Sequence, residues 1–190
     1  MAARGAAFAL LLAVMLPGAL AAPAGASTLP PISGPAGQWI VQGGFIDASV
    51  DYAVTDDVLV GGAASLLAVF GAARVSKRLA GGGGWPVLGA TFAAGATGLD
   101  PFFFMGPPVP HAFVTPALVA DVPIPWRRMV AWMPFDMAWR VSLGPAYFQS
   151  LVDAQRGAFL LFNNELACFA RPDLELVFLG NSAVTLRKRF

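Results

Sequence analysis

The chain has 190 residues, about the size of one domain, and its 12 Lys and Arg against 11 Asp and Glu leave no basic field for nucleic acid. Hydrophobic residues make up 57% and charged residues 12%, about half the charged share of an ordinary soluble domain, which excludes disorder and coiled coil. A single cysteine excludes an internal disulfide framework and any multi-cysteine metal site. What remains is an apolar, turn-rich chain with 21 Gly and 16 Pro, a composition suited to contact with lipid.

The first segment carries one charge at Arg4, an apolar run from Ala6 to Leu16, a break at Pro17-Gly18 and small residues around Ala21 and Ala26. That is the pattern of a secretory signal peptide over 1–26, with cleavage after Ala21 or Ala26. The run is too short for a helix that must cross a bilayer, which needs about 20 residues. Removal of this segment leaves 11 basic and 11 acidic side chains, a mature chain of zero net charge. Residues 27–36, rich in Pro and Ser, are expected to form a mobile lead-in, and 37–190 the folded domain.

Beyond that point the dominant period is two. Ile46, Ala48, Val50, Tyr52 and Val54 fall on one face, with Asp47, Ser49, Asp51 and Ala53 on the other. Phe135, Met137, Trp139, Val141 and Leu143 oppose Asp136, Ala138, Arg140, Ser142 and Gly144 in the same way. Ser182, Val184, Leu186, Lys188 and Phe190 alternate with Ala183, Thr185, Arg187 and Arg189. In 70–79, Arg74, Ser76 and Arg78 oppose Ala73, Val75 and Leu79. With 37–43, 58–66, 85–95, 113–122, 158–169 and 173–179 bounded by turn residues, ten strands are predicted, or eight if 37–43 or 58–66 stays out of the wall.

A sheet with one apolar and one polar face can bury the first in lipid and enclose the second, and in hydrocarbon it must close so that every backbone group is paired. The predicted fold is therefore all-β, a closed antiparallel transmembrane β-barrel. Carrying the polar parity through places Asp47, Asp51, Asp121, Asp136, Glu165 and Glu175 in the lumen with Arg74, Arg78, Arg140, Arg187 and Arg189. Unpaired charge in a narrow lumen is costly, so these are expected to interlock as ion pairs. Eight to ten strands leave an interior that side chains can fill, not a wide pore.

The signal peptide, the strand-turn-strand Val50-Asp-Tyr-Ala-Val-Thr-Asp-Asp-Val-Leu-Val-Gly61 and the ending Leu179-Gly-Asn-Ser-Ala-Val-Thr-Leu-Arg-Lys-Arg-Phe190 resemble the small bacterial outer-membrane β-barrels. The resemblance implies an outer-membrane location, with the bilayer as partner and a terminal aromatic signal read by the barrel-assembly machinery. By position that signal is Phe190, Leu186 and Val184; Lys188 departs from the pattern as a residue whose stem can snorkel. With the last strand ending in the periplasm, short turns are expected on that side, and 96–112 and 145–157 become outer loops, while 123–134 is long for a turn. Trp39, Tyr52, Trp85, Trp126 and Phe190 would form one aromatic girdle, and Phe102, Phe103, Phe104, Tyr147 and Phe148 the other.

Competing readings are a narrow channel, a bundle of inner-membrane helices and a lipid-modifying barrel enzyme. Val58–Ala73 lacks charge over 16 residues and Leu79–Leu99 over 21, but the second holds seven Gly and one Pro, at about 1 and 3 kcal/mol each against a helix. Catalysis would need a base beside a nucleophile. His111 is the single histidine and has no adjacent serine, although Ser142, Ser150 and Thr115 are candidates to approach it in space. No catalytic, cofactor or metal residues are assigned. Cys168 falls on the apolar parity and reads as a small hydrophobe, and Gly81–Gly84 as a hairpin turn, since the Lys-Ser/Thr of a phosphate loop is missing. The sequence-level conclusion is a structural or binding component of the envelope.

Overall fold

A computed structural model describes residues 32–44, 47–65, 70–82, 85–98, 109–124, 135–171, 173–178 and 184–190. The signal-peptide segment 1–26, Ile46, Phe102, Phe103, Phe104 and Trp126 lie outside them. Ten strands follow one another: β1 (Trp39–Gly44), β2 (Asp47–Thr55), β3 (Val58–Ser65), β4 (Phe70–Ala80), β5 (Val87–Thr97), β6 (His111–Ile124), β7 (Asp136–Ser150), β8 (Arg156–Arg171), β9 (Leu174–Phe178) and β10 (Val184–Arg189). Each pairs antiparallel with its sequence neighbours, and β1 pairs with β10, so the sheet closes. The fold is a closed ten-stranded antiparallel β-barrel. The eight-strand alternative is set aside, because 39–44 and 58–65 both join the wall.

The helical alternative fails for a physical reason visible along β3–β5. Gly61, Gly62, Gly71, Gly89 and Gly95 lie within paired strands, where their lack of a side chain allows close backbone approach, whereas in helices they would cost stability without return. The β4–β5 connection turns on Gly81 and Gly82, whose φ values of 92° and 122° belong to the left-handed region that favours glycine. At the β2–β3 turn the Thr55 hydroxyl accepts the N–H groups of Asp57 (3.3 Å) and Val58 (3.1 Å), so the chain reverses over two residues.

The largest departure from the sequence reading is in the tall part of the wall. Residues 145–157 were expected as a loop, yet β7 continues to Ser150 and β8 begins at Arg156, leaving 151–155 as the connection. Gly144-Pro145 reads as a strand end because proline cannot donate to a ladder. Here Pro145 falls opposite Pro116. Val114 pairs with Tyr147 and Leu118 with Leu143 in one unbroken register, and only Thr115–Ala117 against Gly144–Ala146 lack ladder pairs. The two missing donors therefore coincide at a single rung, and each proline remains paired on its other side, Pro116 with Phe92 and Pro145 with Leu160.

The barrel is inside-out relative to a soluble domain. Among the described residues, Arg140, Arg187, Glu165 and Glu175 are among the largest fully buried side chains, while Leu118 and Leu160 are 67% and 69% exposed. Parity explains this: on β7, Arg140 and Ser142 face in and are buried, whereas Leu143 and Tyr147 face out. The apolar part of the interior is small and centres on Ile40, Ala53 and Leu59. It lies at the end carrying Trp39 and Phe190, called the base below. Exposed Trp39, Trp85 and Phe190, and Tyr52 with its ring 4.8 Å from that of Trp39, are at this end. Phe148, expected in an outer girdle with Tyr147, instead shares the inward register of Ser150 and lies over Gly157.

Residues 32–38, most of them in the stretch expected to be a mobile lead-in, are held against the base. The Ala36 N–H donates to Asp56 Oδ1 (2.8 Å), the Gly37 N–H to the Ala53 carbonyl (2.8 Å) and the Ala53 N–H to the Gln38 carbonyl (2.9 Å). Ile32 is 3% exposed and packs on the inner side of Gly89.

Candidate functional site: the charged floor and the lumen above it

The register builds the inner wall of β5–β8 in rows. Val87, Asp121, Arg140 and Glu165 form one row, and Gly89, Val119, Ser142 and Asn163 the next toward the far end. Then come Thr91, Ala117, Gly144 and Leu161, followed by Ala93, Thr115, Ala146 and Phe159. Phe113, Phe148 and Gly157 stand above these, and His111 and Ser150 last. Charge thus concentrates toward the base, small apolar residues lie in the middle and aromatic rings at the far end.

The lower rows hold an interlocked ion-pair cluster. Arg140 donates from Nε to Asp121 Oδ2 (2.7 Å) and from Nη1 to Glu175 Oε2 (2.8 Å) and Glu165 Oε1 (3.3 Å). Arg187 reaches the same two glutamates, Glu175 Oε2 at 2.9 Å and Glu165 Oε1 at 3.1 Å, and gives its Nε to Gln42 Oε1 at 2.9 Å. Arg189 adds a 2.7 Å bond to Glu175 Oε1, and the Gln42 amide donates to Thr185 Oγ1 (3.1 Å). Three guanidinium groups thereby face three carboxylates. Planar forks that satisfy several acceptors at once are what make Arg, not Lys, suited to such a buried cluster.

A second pair stands apart from it. Arg74 donates from Nε to Asp51 Oδ1 (2.7 Å) and from Nη2 to Asp51 Oδ2 and Ser49 Oγ (2.9 Å), a two-pronged contact between β4 and β2 across β3. Gly61 lies between them on β3, and a Cβ there would fall 2.3 Å from Asp51 Oδ1. Arg78 is not in the lumen cluster; it pairs with Asp57 at the β2–β3 turn. Asp136 begins β7 on the inward register, opposite Phe169. Asp47 is placed on β2, and its side chain lies outside the described residues, as does that of Val184 on β10. Sequence parity sets Ser49 and Thr185 on the polar faces, but a network read from charge alone leaves them and Gln42 out; the alternation of Ile40 and Gln42 with Trp39 and Val41 carried the signal for Gln42.

Two acceptors on the inner face of β8 end without a hydrogen-bond partner. Glu165 Oε2 is buried in the floor, and Asn163 Oδ1 is buried one inward position above it. Farther up, Leu161, Ala117, Thr115 and Ala93 are half-buried while Gly144 and Ala146 of the same rows are buried, so the middle of the lumen is less tightly enclosed along β5, β6 and β8 than the floor, where Arg140 and Glu165 are fully enclosed.

His111 and Ser150 are brought directly opposite each other across β6 and β7. Their polar atoms are engaged elsewhere. His111 Nδ1 donates to the Val109 carbonyl (2.7 Å), and Ser150 Oγ accepts the N–H groups of Val152 and Asp153 (both 3.2 Å), closing the 151–155 turn. The imidazole ring packs edge-on against Phe148, centroids 5.7 Å apart. Ser142 and Thr115 lie farther down the inner rows. Among the described residues, no group of three His, Cys, Asp or Glu is arranged to hold a metal ion.

At the C-terminal end, Leu186 and Phe190 face outward and are exposed, and the Lys188 ammonium sits 4.6 Å from the centre of the Phe190 ring. Cys168, on the outward register of β8, is buried. Comparison of the chain with protein-family models, with curated proteins and with solved structures finds no match.

Proposed function

We propose that this chain is a small outer-membrane β-barrel with a packed, charge-paired interior, a structural or binding component of a bacterial envelope. The observation that carries the reading is the inversion of polarity. Arginine and glutamate fill the floor of the lumen, while Trp39, Leu79, Leu118, Leu160 and Phe162 are displayed outside. In water so much exposed apolar surface would drive association; hydrocarbon accepts it, and closure of the sheet meets the demand that no strand edge face lipid. The signal-peptide pattern at 1–26 supports export, and Leu186 and Phe190 offer the barrel-assembly machinery an aromatic-ended strand.

The ion-pair floor and the docked 32–38 segment favour a closed lumen over a channel. The deciding experiment is fractionation of the expressing cells, followed by gel migration of the extracted protein with and without boiling. Recovery in the outer membrane with a heat-dependent shift supports the reading, and recovery in a soluble or inner-membrane fraction defeats it. Single-channel conductance in planar bilayers separates a closed barrel from a narrow pore.

A further inference from the structure

We propose that the lumen above the floor binds a neutral single-chain amphiphile with a hydrogen-bond-donating head, admitted from the side through the rung that Pro116 and Pro145 leave unmade.

Three features of the inner wall converge on this. The first is the pair of orphan acceptors, Glu165 Oε2 and Asn163 Oδ1, on adjacent inward positions of β8. Buried acceptors are normally satisfied, so two in succession call for a donor from outside the chain. Beneath them, among the described residues, three guanidinium groups already meet three carboxylates, so an added ion would find these counter-charges engaged. The head is therefore a hydroxyl or amide donor without net charge.

The second feature is the lining immediately above. Ala117, Gly144 and Leu161 make the next row and Ala93, Thr115 and Ala146 the one after, small or apolar residues that leave width for an alkyl chain. Phe113, Phe148 and Phe159 surround its far end, with Phe148 and Phe159 centroids 6.3 Å apart. A pocket that is mostly apolar with a few fixed polar atoms at one end is the usual form of a small-molecule site.

The third feature is the position of the broken ladder. The unpaired stretch, Thr115–Ala117 against Gly144–Ala146, borders those two apolar rows and lies one inward position above Ser142 and Asn163. On the outside it is flanked by exposed Leu118, Leu143, Val114 and Tyr147. The seam is shut by contact instead: a Cβ on Gly144 would fall 2.1 Å from the Pro116 carbonyl oxygen and 2.6 Å from Ala117 Cα. A closure that breaks no ladder hydrogen bonds when it opens is the weakest place in the wall for a chain to pass from lipid to lumen.

The side route rests on the membrane reading above; the binding chamber does not, and fractionation and the heat-dependent gel shift report on that reading separately. The test uses the mature protein in lipid nanodiscs, or in buffer if it proves soluble, titrated with 1-decanol while the Asn163 side-chain amide and the Gly144 backbone amide are followed by NMR. Saturable shifts at both positions are expected, with none from decane, and Asn163→Leu should weaken decanol binding about tenfold while keeping the gel shift. Non-saturable shifts, shifts confined to outward residues, or an unchanged affinity in N163L overturn the chamber. The double variant P116V/P145V, which restores both donors, should slow exchange of the probe at least several-fold without changing its affinity. An unchanged exchange rate in that variant overturns the side route.

Discussion

Ile32 occupies the space that a side chain at position 89 would need. A Cβ built on Gly89 would lie 2.4 Å from Ile32 Cγ2 and 2.8 Å from the Lys77 carbonyl oxygen. The glycine on β5 and the isoleucine near the start of the domain are therefore complementary halves of one contact, and the contact closes the base of the lumen. Gly89→Val should expel the 32–38 segment, making it cleavable by added protease while the barrel keeps its heat-dependent gel shift. Ile32→Ala should loosen the same segment by about 2 kcal/mol or more, read as faster cleavage. Equal resistance in wild type and both variants would show that the segment is held by its backbone bonds to Ala53 and Asp56 alone.

The two ion-pair groups should respond differently to substitution. Among the described residues, Arg187→Met leaves Glu165 with Arg140 alone and Glu175 with Arg140 and Arg189, and should cost about 3–5 kcal/mol in urea unfolding from lipid vesicles. The Asp51–Arg74 pair offers a thermodynamic cycle. Asp51→Leu and Arg74→Leu should each destabilise strongly, while the double variant should be less destabilised than either, because no uncompensated charge remains. Additive losses would contradict a direct coupling between the two side chains.

On the proposed reading, substitution of Phe190 is predicted to affect assembly more than stability. The Phe190 ring is exposed and carries the Lys188 ammonium over it, while the backbone bonds of Phe190 to Trp39 do not depend on the side chain. Phe190→Ala should reduce the heat-modifiable fraction recovered in outer membranes several-fold, while purified protein refolded into detergent unfolds at nearly the wild-type urea midpoint. A matching loss in both measurements would assign the residue to the fold instead.

Acid should loosen the β7–β8 turn. A hydrogen bond with Ser150 and the donated Gln155 N–H hold the Asp153 carboxyl below its usual range. A lowered value means that the ionised form is favoured by the folded turn, so this contribution is present above the unfolded value and is lost as pH falls through the folded one. The Gln155 amide resonance should move toward a random-coil position over that acid interval. In Asp153→Asn the transition should disappear.

Much of the wall was legible because apolar and polar residues alternate on β2, β7 and β10 with few exceptions, Lys188 among them. β3 and β5 were harder. Runs such as Val58–Ser65 and Val87–Thr97 are so rich in Gly and Ala that both faces look alike, and only pairing with β2, β4 and β6 reveals that Leu59, Ala63 and Gly89 face in. Pro145 misled for a different reason: a lone proline predicts an interruption, and its compatibility with a continuous wall depends on Pro116, 29 positions earlier, falling opposite it. The charged positions could be assigned to a face by parity, but not their partners. Whether Arg78 meets Asp57 or a lumen carboxylate is set by register and strand stagger, and neither is encoded in spacing along one strand. Ile32 escaped notice because its neighbours are Pro, Ser and Gly, a composition that carries no period.

The length of β7 and β8 has a consequence for the turn that joins them. They run for 15 and 16 residues, about 50 Å of strand at about 3.3 Å per residue. Were the barrel set in a bilayer at the tilt of about 45° usual for such strands, that length would give roughly 35 Å along the normal, a little more than the hydrocarbon thickness of about 30 Å. The exposed Leu151 and Val152 of the connecting turn would then stand at the interface, able to touch headgroups rather than bulk water.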